Sequence, residues 1–95
     1  MSQVRKLVLD VMKPHEPSLL EYTDQMADVD GIYGVNTSMV EMDEDVENVK
    51  VTVEGNDIPY HELENVIEGL GGSIHSVDRV LCGEKIIDDV RTPQD

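Results

Sequence analysis

The sequence predicts one α+β domain whose elements run strand–helix–strand–strand–helix–strand. Three observations predict it. Val49, Val51 and Val53 alternate with polar residues, the period of a half-buried strand. Two apolar stripes at helical spacing, one after Pro17 and one after Asp57, each stand between strand-like runs. An acidic turn, Met42-Asp43-Glu44-Asp45-Val46, joins two of those runs into a hairpin from Val35 to Gly55.

In chain order, Val4 to Lys13 is the first strand, with Leu7, Leu9 and Val11 on one face and Val8, Asp10 and Met12 on the other. Pro14 and Pro17 end it and bracket a loop that holds His15 and Glu16. The first helix spans Pro17 to Val29. Its predicted inward stripe is Leu19, Leu20, Thr23, Met26 and Ala27, and Ser18 with Glu21 fits a capping box. Gly31 and Gly34 close the helix and turn the chain. In the hairpin, Val35, Thr37 and Met39 share the inner face, while Val40 and Met42 fall on the open face with Val8 and Met12. Asp57 is the predicted N-cap of a second helix that turns Leu63, Val66, Ile67 and Leu70 inward and stops at Gly71-Gly72. Ser73 to Leu81 is a fourth strand of irregular pattern: Ile74 and Val80 fall on one face, Val77 and Leu81 on the other, which predicts a bulge or a strand covered on both sides.

With right-handed crossovers this order is a ferredoxin-like βαββαβ sandwich: an antiparallel sheet in the order 4-1-3-2 with both helices on one face. The domain takes residues 1–82. Residues 83–95 form a C-terminal tail whose Ile86, Ile87 and Val90 have no place in that core, so an extra strand or an oligomer contact is expected there.

Composition narrows the function classes. The core must be aliphatic, since the 95 residues include no Trp, no Phe and three Tyr. Seven basic against 21 acidic residues leave a net charge of -14, and no Lys or Arg occurs between Lys13 and Lys50. Such a surface repels nucleic acid and anionic lipid and favours cationic partners. A single cysteine, Cys82, excludes an internal disulfide, a four-cysteine zinc site and an iron–sulfur cluster. With only short apolar runs and no targeting signal, a soluble, cytoplasmic protein is expected.

The topology gathers three loops at one end: the His15–Glu16 loop, the acidic turn and the Gly71-Gly72-Ser73 turn, with His75 just inside the fourth strand. His61, Asp57, Asp28 and Asp30 belong to the other end. Glu41, Asp43, Glu44, Asp45 and Glu47 are candidate oxygen ligands for a hard cation, Ca²⁺ or Mg²⁺, although a solvated turn explains the same carboxylates. Asp10, His15, Glu16 and His75 are a second candidate ligand site, on which a small metal-assisted enzyme could be built. No nucleophile stands in a recognisable elbow, so no catalytic residue is assigned.

Four segments taken together carry a resemblance. They are Leu9-Asp10-Val11-Met12-Lys13-Pro14-His15-Glu16-Pro17-Ser18, Gly34-Val35-Asn36, Glu47-Asn48-Val49-Lys50-Val51-Thr52-Val53-Glu54-Gly55 and Gly71-Gly72-Ser73-Ile74-His75-Ser76-Val77-Asp78. With them the chain resembles the archaeal domain-of-unknown-function family 211 over nearly its whole length. The resemblance implies a ferredoxin-like fold, an archaeal cytoplasmic protein, a ring-like homo-oligomer and a loose association with calcium; it implies no activity. The expected function is a homo-oligomeric binding or regulatory module that takes divalent cations through acidic residues. The alternatives are the small enzyme at the His15/His75 end and a purely structural assembly unit.

Overall fold

Alternation of apolar and polar residues builds β1 (Val4–Lys13), β2 (Ile32–Met42), β3 (Glu47–Gly55) and β4 (Ser73–Cys82), and two amphipathic stretches build α1 (Leu19–Ala27) and α2 (Tyr60–Gly69). The computed structural model describes residues 3–85. The strands form one antiparallel sheet in the order β2-β3-β1-β4, the expected 4-1-3-2 read from the other edge. Leu7, Leu9 and Val11 of β1 and Val49, Val51 and Val53 of β3 meet Tyr22 and Met26 of α1 and Leu63 and Ile67 of α2 in one core. Both helices therefore cover the same face, and among the described residues no helix covers the other.

Ser18 caps α1 as its sequence predicts, its Oγ accepting from the Glu21 amide at 3.2 Å. The helix is shorter than Pro17 to Val29, and Pro17 stands before it, joined to Glu16 by a cis peptide. Its inward stripe is also rotated. Tyr22 and Met26 are buried and Leu20 and Ala27 point outward, so the working stripe is Leu19, Tyr22, Met26 and, just past the helix, Val29. That series keeps helical spacing, and it turns Tyr22, the largest side chain of the helix, into the core. In α2, Leu63 and Ile67 are buried and Val66 and Leu70 half-buried, as expected; the N-cap is Pro59 rather than Asp57, which takes a left-handed φ of 58° in the turn before it.

Strand β2 begins at Ile32, earlier than expected, because Gly31 alone makes the turn at φ 94° and Gly34 continues as strand. Opposite Ile32, Gly55 meets the Gly31 carbonyl so closely that a Cβ would lie 2.1 Å from that oxygen. Bulges then reset two faces. In β2 the register skips Val40, so Met42 pairs with Glu47 and faces the helix side, not the open face with Val8 and Met12. In β4 the register skips His75 and Asp78, so Ile74, Val77 and Val80 stand opposite Val11, Leu9 and Leu7, all on the helix side. The bulge expected from the pattern is there, while the expected split of those residues between two faces is not.

Beyond β4 the Gly83 amide donates to the Gln3 carbonyl at 2.8 Å, and the Arg5 guanidinium donates to the carbonyls of Gly83 and Glu84 at 3.4 Å. The start of the tail thus stays beside β1. The apolar tail residues Ile86, Ile87 and Val90, for which a strand or an oligomer contact is expected, lie outside the described residues. No helix among the described residues is long and apolar enough to cross a membrane.

Candidate functional site

The core alternation of β1 ends on a lysine, and that of β3 begins on a glutamate. Lys13 and Glu47 are directly paired in the β1–β3 ladder, both on the helix-covered face, and both are buried, at 1% and 6% exposure. A charge at such a position is tolerated only when paired and hydrogen-bonded. Here the requirement is met. Lys13 Nζ donates to Glu47 Oε1 and to the Pro14 carbonyl, each at 2.8 Å, and lies 5.2 Å from the centroid of the Tyr22 ring. The Tyr22 hydroxyl in turn donates to the Leu70 carbonyl at the end of α2.

The other oxygen of Glu47 holds His15. Nδ1 lies 2.8 Å from Glu47 Oε2, and Nε2 lies 2.8 Å from the Glu44 carbonyl. One loop histidine thereby ties the β1–α1 loop to the acidic turn. The turn itself is closed by Asp43, whose Oδ1 accepts from the Asp45 and Val46 amides at 3.0 Å and whose amide donates to the Val46 carbonyl.

The ionisation of these groups follows from their contacts. Glu47 is held below the ordinary carboxylate value, first by its hydrogen bond from Lys13 and then by the one from His15. Asp43 is lowered by the Val46 and Asp45 amides. His15 is raised, first by Glu47 and then by the Glu44 carbonyl. Tyr22 is raised by burial and by the charge on Glu47.

The structure therefore brings together parts of both candidate sets and separates others. Among the cation ligands named from sequence, Glu47 serves Lys13 and His15, and Asp43 serves backbone amides. Glu41 pairs with Asn48 on the open face, away from Glu47. No group of three or more His, Cys, Asp or Glu side chains converges as a metal site among the described residues. In the second set, His15 meets neither Asp10 nor His75 in a hydrogen bond. Asp10 is on the open face, opposite Lys50 and Ser76, and His75 is the extra residue of the β4 bulge, on the far side of β1 from the turn. Glu16 is exposed in the loop beside His15. Sequence reasoning missed Lys13 and Tyr22. The signal was present for both, since Lys13 continues the series Leu7, Leu9, Val11 and Tyr22 follows Leu19 at helical spacing.

A second feature lies at the two edges of the sheet. On β2, Tyr33, Val40 and Met42 are exposed; on β4, Val77 and Val80 are. Shallow grooves of about 420 and 480 Å³ flank β2, the first lined by Tyr33, Asn36, Thr52 and Glu54, the second by Leu19, Leu20, Thr23 and Thr37.

The sequence profile of domain-of-unknown-function family 211, described as uncharacterized ArCR, matches residues 5–95. An uncharacterized protein of Methanocaldococcus jannaschii is 48% identical over 95 residues, covering 100% of this chain and 98% of that one. With a profile match over nearly its full length and a relative this similar, the chain belongs to domain-of-unknown-function family 211.

Proposed function

We propose that the protein is a homo-oligomeric binding or regulatory module whose copies join edge to edge, β4 of one against β2 of the next. The supporting observation is that the exposed large apolar side chains of the sheet lie on its two edge strands, which among the described residues are also where backbone groups have no further strand neighbour. The directions fit. Both β3 and β4 run antiparallel to β1, and β2 runs antiparallel to β3, so β4 of one copy and β2 of a similarly oriented neighbour are antiparallel and extend one sheet. The two edges differ in sequence, so the contact is heterologous, and a heterologous contact that closes makes a ring.

A divalent-cation role belongs to this reading through charge. Each copy carries -14, and bringing copies together concentrates that charge, which Ca²⁺ or Mg²⁺ relieves. Ligands for such an ion would be completed between copies.

Complementary edge variants test the contact. Val80→Asp disables the β4 edge and Val40→Asp the β2 edge. Each variant alone should sediment as a monomer of 10.6 kDa, while an equimolar mixture should form one-to-one pairs through the two intact edges. A mixture that stays monomeric while the wild type assembles contradicts a β2–β4 contact.

A further inference from the structure

Both ring nitrogens of His15 face oxygens that only accept hydrogen bonds. Glu47 Oε2 belongs to a carboxylate kept ionised by Lys13, and the Glu44 oxygen is a backbone carbonyl, each 2.8 Å from its nitrogen. A neutral imidazole has one N–H and one lone pair. It can serve one of these oxygens, and then its bare nitrogen confronts the other at hydrogen-bond distance. Only the imidazolium satisfies both.

We propose that His15 is a proton-operated latch that fastens the acidic β2–β3 turn to the β1–α1 loop when charged and releases the turn at Glu44 when it loses its proton.

The direction of release follows from the charges around the ring. These are Glu47 from β3, Lys13 from β1 on the far side of that carboxylate, Asp43 and Glu44 from the turn, and Glu16 beside it in the loop. The carboxylate of Glu47 keeps the proton on Nδ1, so the proton given up to solvent comes from Nε2. Its lone pair then faces the Glu44 carbonyl, and that contact opens. The raised ionisation of His15 agrees with this geometry and sets the sign. Its stabilising effect is complete below the unfolded-chain value of 6.5 and is lost as pH rises through the higher folded value. The turn is tied below that folded value and freed above it. The inference is independent of the assembly reading, because every contact lies within one copy.

Nitrogen-15 NMR of the wild-type protein tests it. At pH 6.5 both His15 nitrogens should carry protons in most molecules, and loss of the Nε2 proton should be centred above 6.5. Through that interval the protection of the Asp43, Asp45 and Val46 amides should fall by about tenfold, the scale of one charge-assisted hydrogen bond. In His15→Gln, whose amide has no proton to lose in this range, protection of the same amides should be independent of pH after correction for intrinsic exchange. A neutral His15 tautomer at pH 6.5, or turn protection that stays constant while His15 deprotonates, overturns the proposal.

Discussion

Lys13 and Glu47 stand opposite each other at the last rung of the β1–β3 ladder, where their 2.8 Å ion pair continues the rows of Leu7, Leu9, Val11 and Val49, Val51, Val53. The pair closes the loop-rich end of the core with charge instead of a side chain that water could leave exposed. His15 on one side and Tyr22 on the other complete it.

Removing one member should be worse than removing both. Lys13→Met leaves Glu47 buried without its main donor, whereas Lys13→Met with Glu47→Leu puts apolar side chains on both sides of the rung. The double variant should melt well above the single one. Thermal denaturation followed by circular dichroism checks this, and additive losses would mean that the two side chains do not act as a pair.

Acid should weaken the protein through two carboxylates. Glu47 and Asp43 both have folded values below their ordinary 4.5 and 3.8. Their stabilisation is present above those ordinary values and is lost as pH falls through the depressed ones. Urea midpoints should therefore drop as pH falls from 5 toward 2, and less steeply in Asp43→Asn, whose amide oxygen still accepts from the turn amides.

Two glycine substitutions should act in opposite directions. In Gly55→Ala the new methyl would stand 2.1 Å from the Gly31 carbonyl, so backbone must move and stability should fall by about 3 kcal/mol, the upper end for overpacking. In Gly69→Ala, at the end of α2, nothing lies within 4 Å of the added methyl. Better helix propensity should raise stability by about 0.5–1 kcal/mol. Chemical denaturation of the two variants side by side checks the contrast.

Tyr22→Phe isolates a single hydroxyl. The ring over Lys13 remains, while the Leu70 carbonyl loses its donor. A loss of about 1–2 kcal/mol is expected, since the abandoned carbonyl is partly shielded from water. No change in stability would show that solvent replaces the bond without cost.

The fold was legible because its strongest signals are periodic. The valines of β3 and the alternation of β1 fix two central strands and their inward faces, and two amphipathic stripes between strands then leave one simple topology. What was not legible depends on bulges and on pairing. A skipped residue at Val40, His75 or Asp78 flips every later side chain, and period-two counting has no means to locate it. The loop site was half legible. His15, Glu44 and Glu47 drew notice as titratable groups at one end, but as possible ligands. Their real relationship needed Lys13 to be read as a core position, which the alternation supports and its charge argues against. Glu47 is taken by Lys13 and His15, so five carboxylates near one turn do not amount to five free ligands.

Assembly by acidic copies should depend on ionic conditions. At low salt the charge of -14 per chain opposes the β2–β4 contact, and millimolar Mg²⁺ or Ca²⁺ should shift the population toward the larger species. Sedimentation with and without divalent ions checks this, and a distribution indifferent to both ions would remove cations from the account.

The mass of the wild-type protein in solution tests the central claim most directly. Multi-angle light scattering at micromolar concentration and moderate ionic strength should give one sharp species at a fixed multiple of 10.6 kDa. A species at 10.6 kDa under those conditions would contradict assembly through the sheet edges.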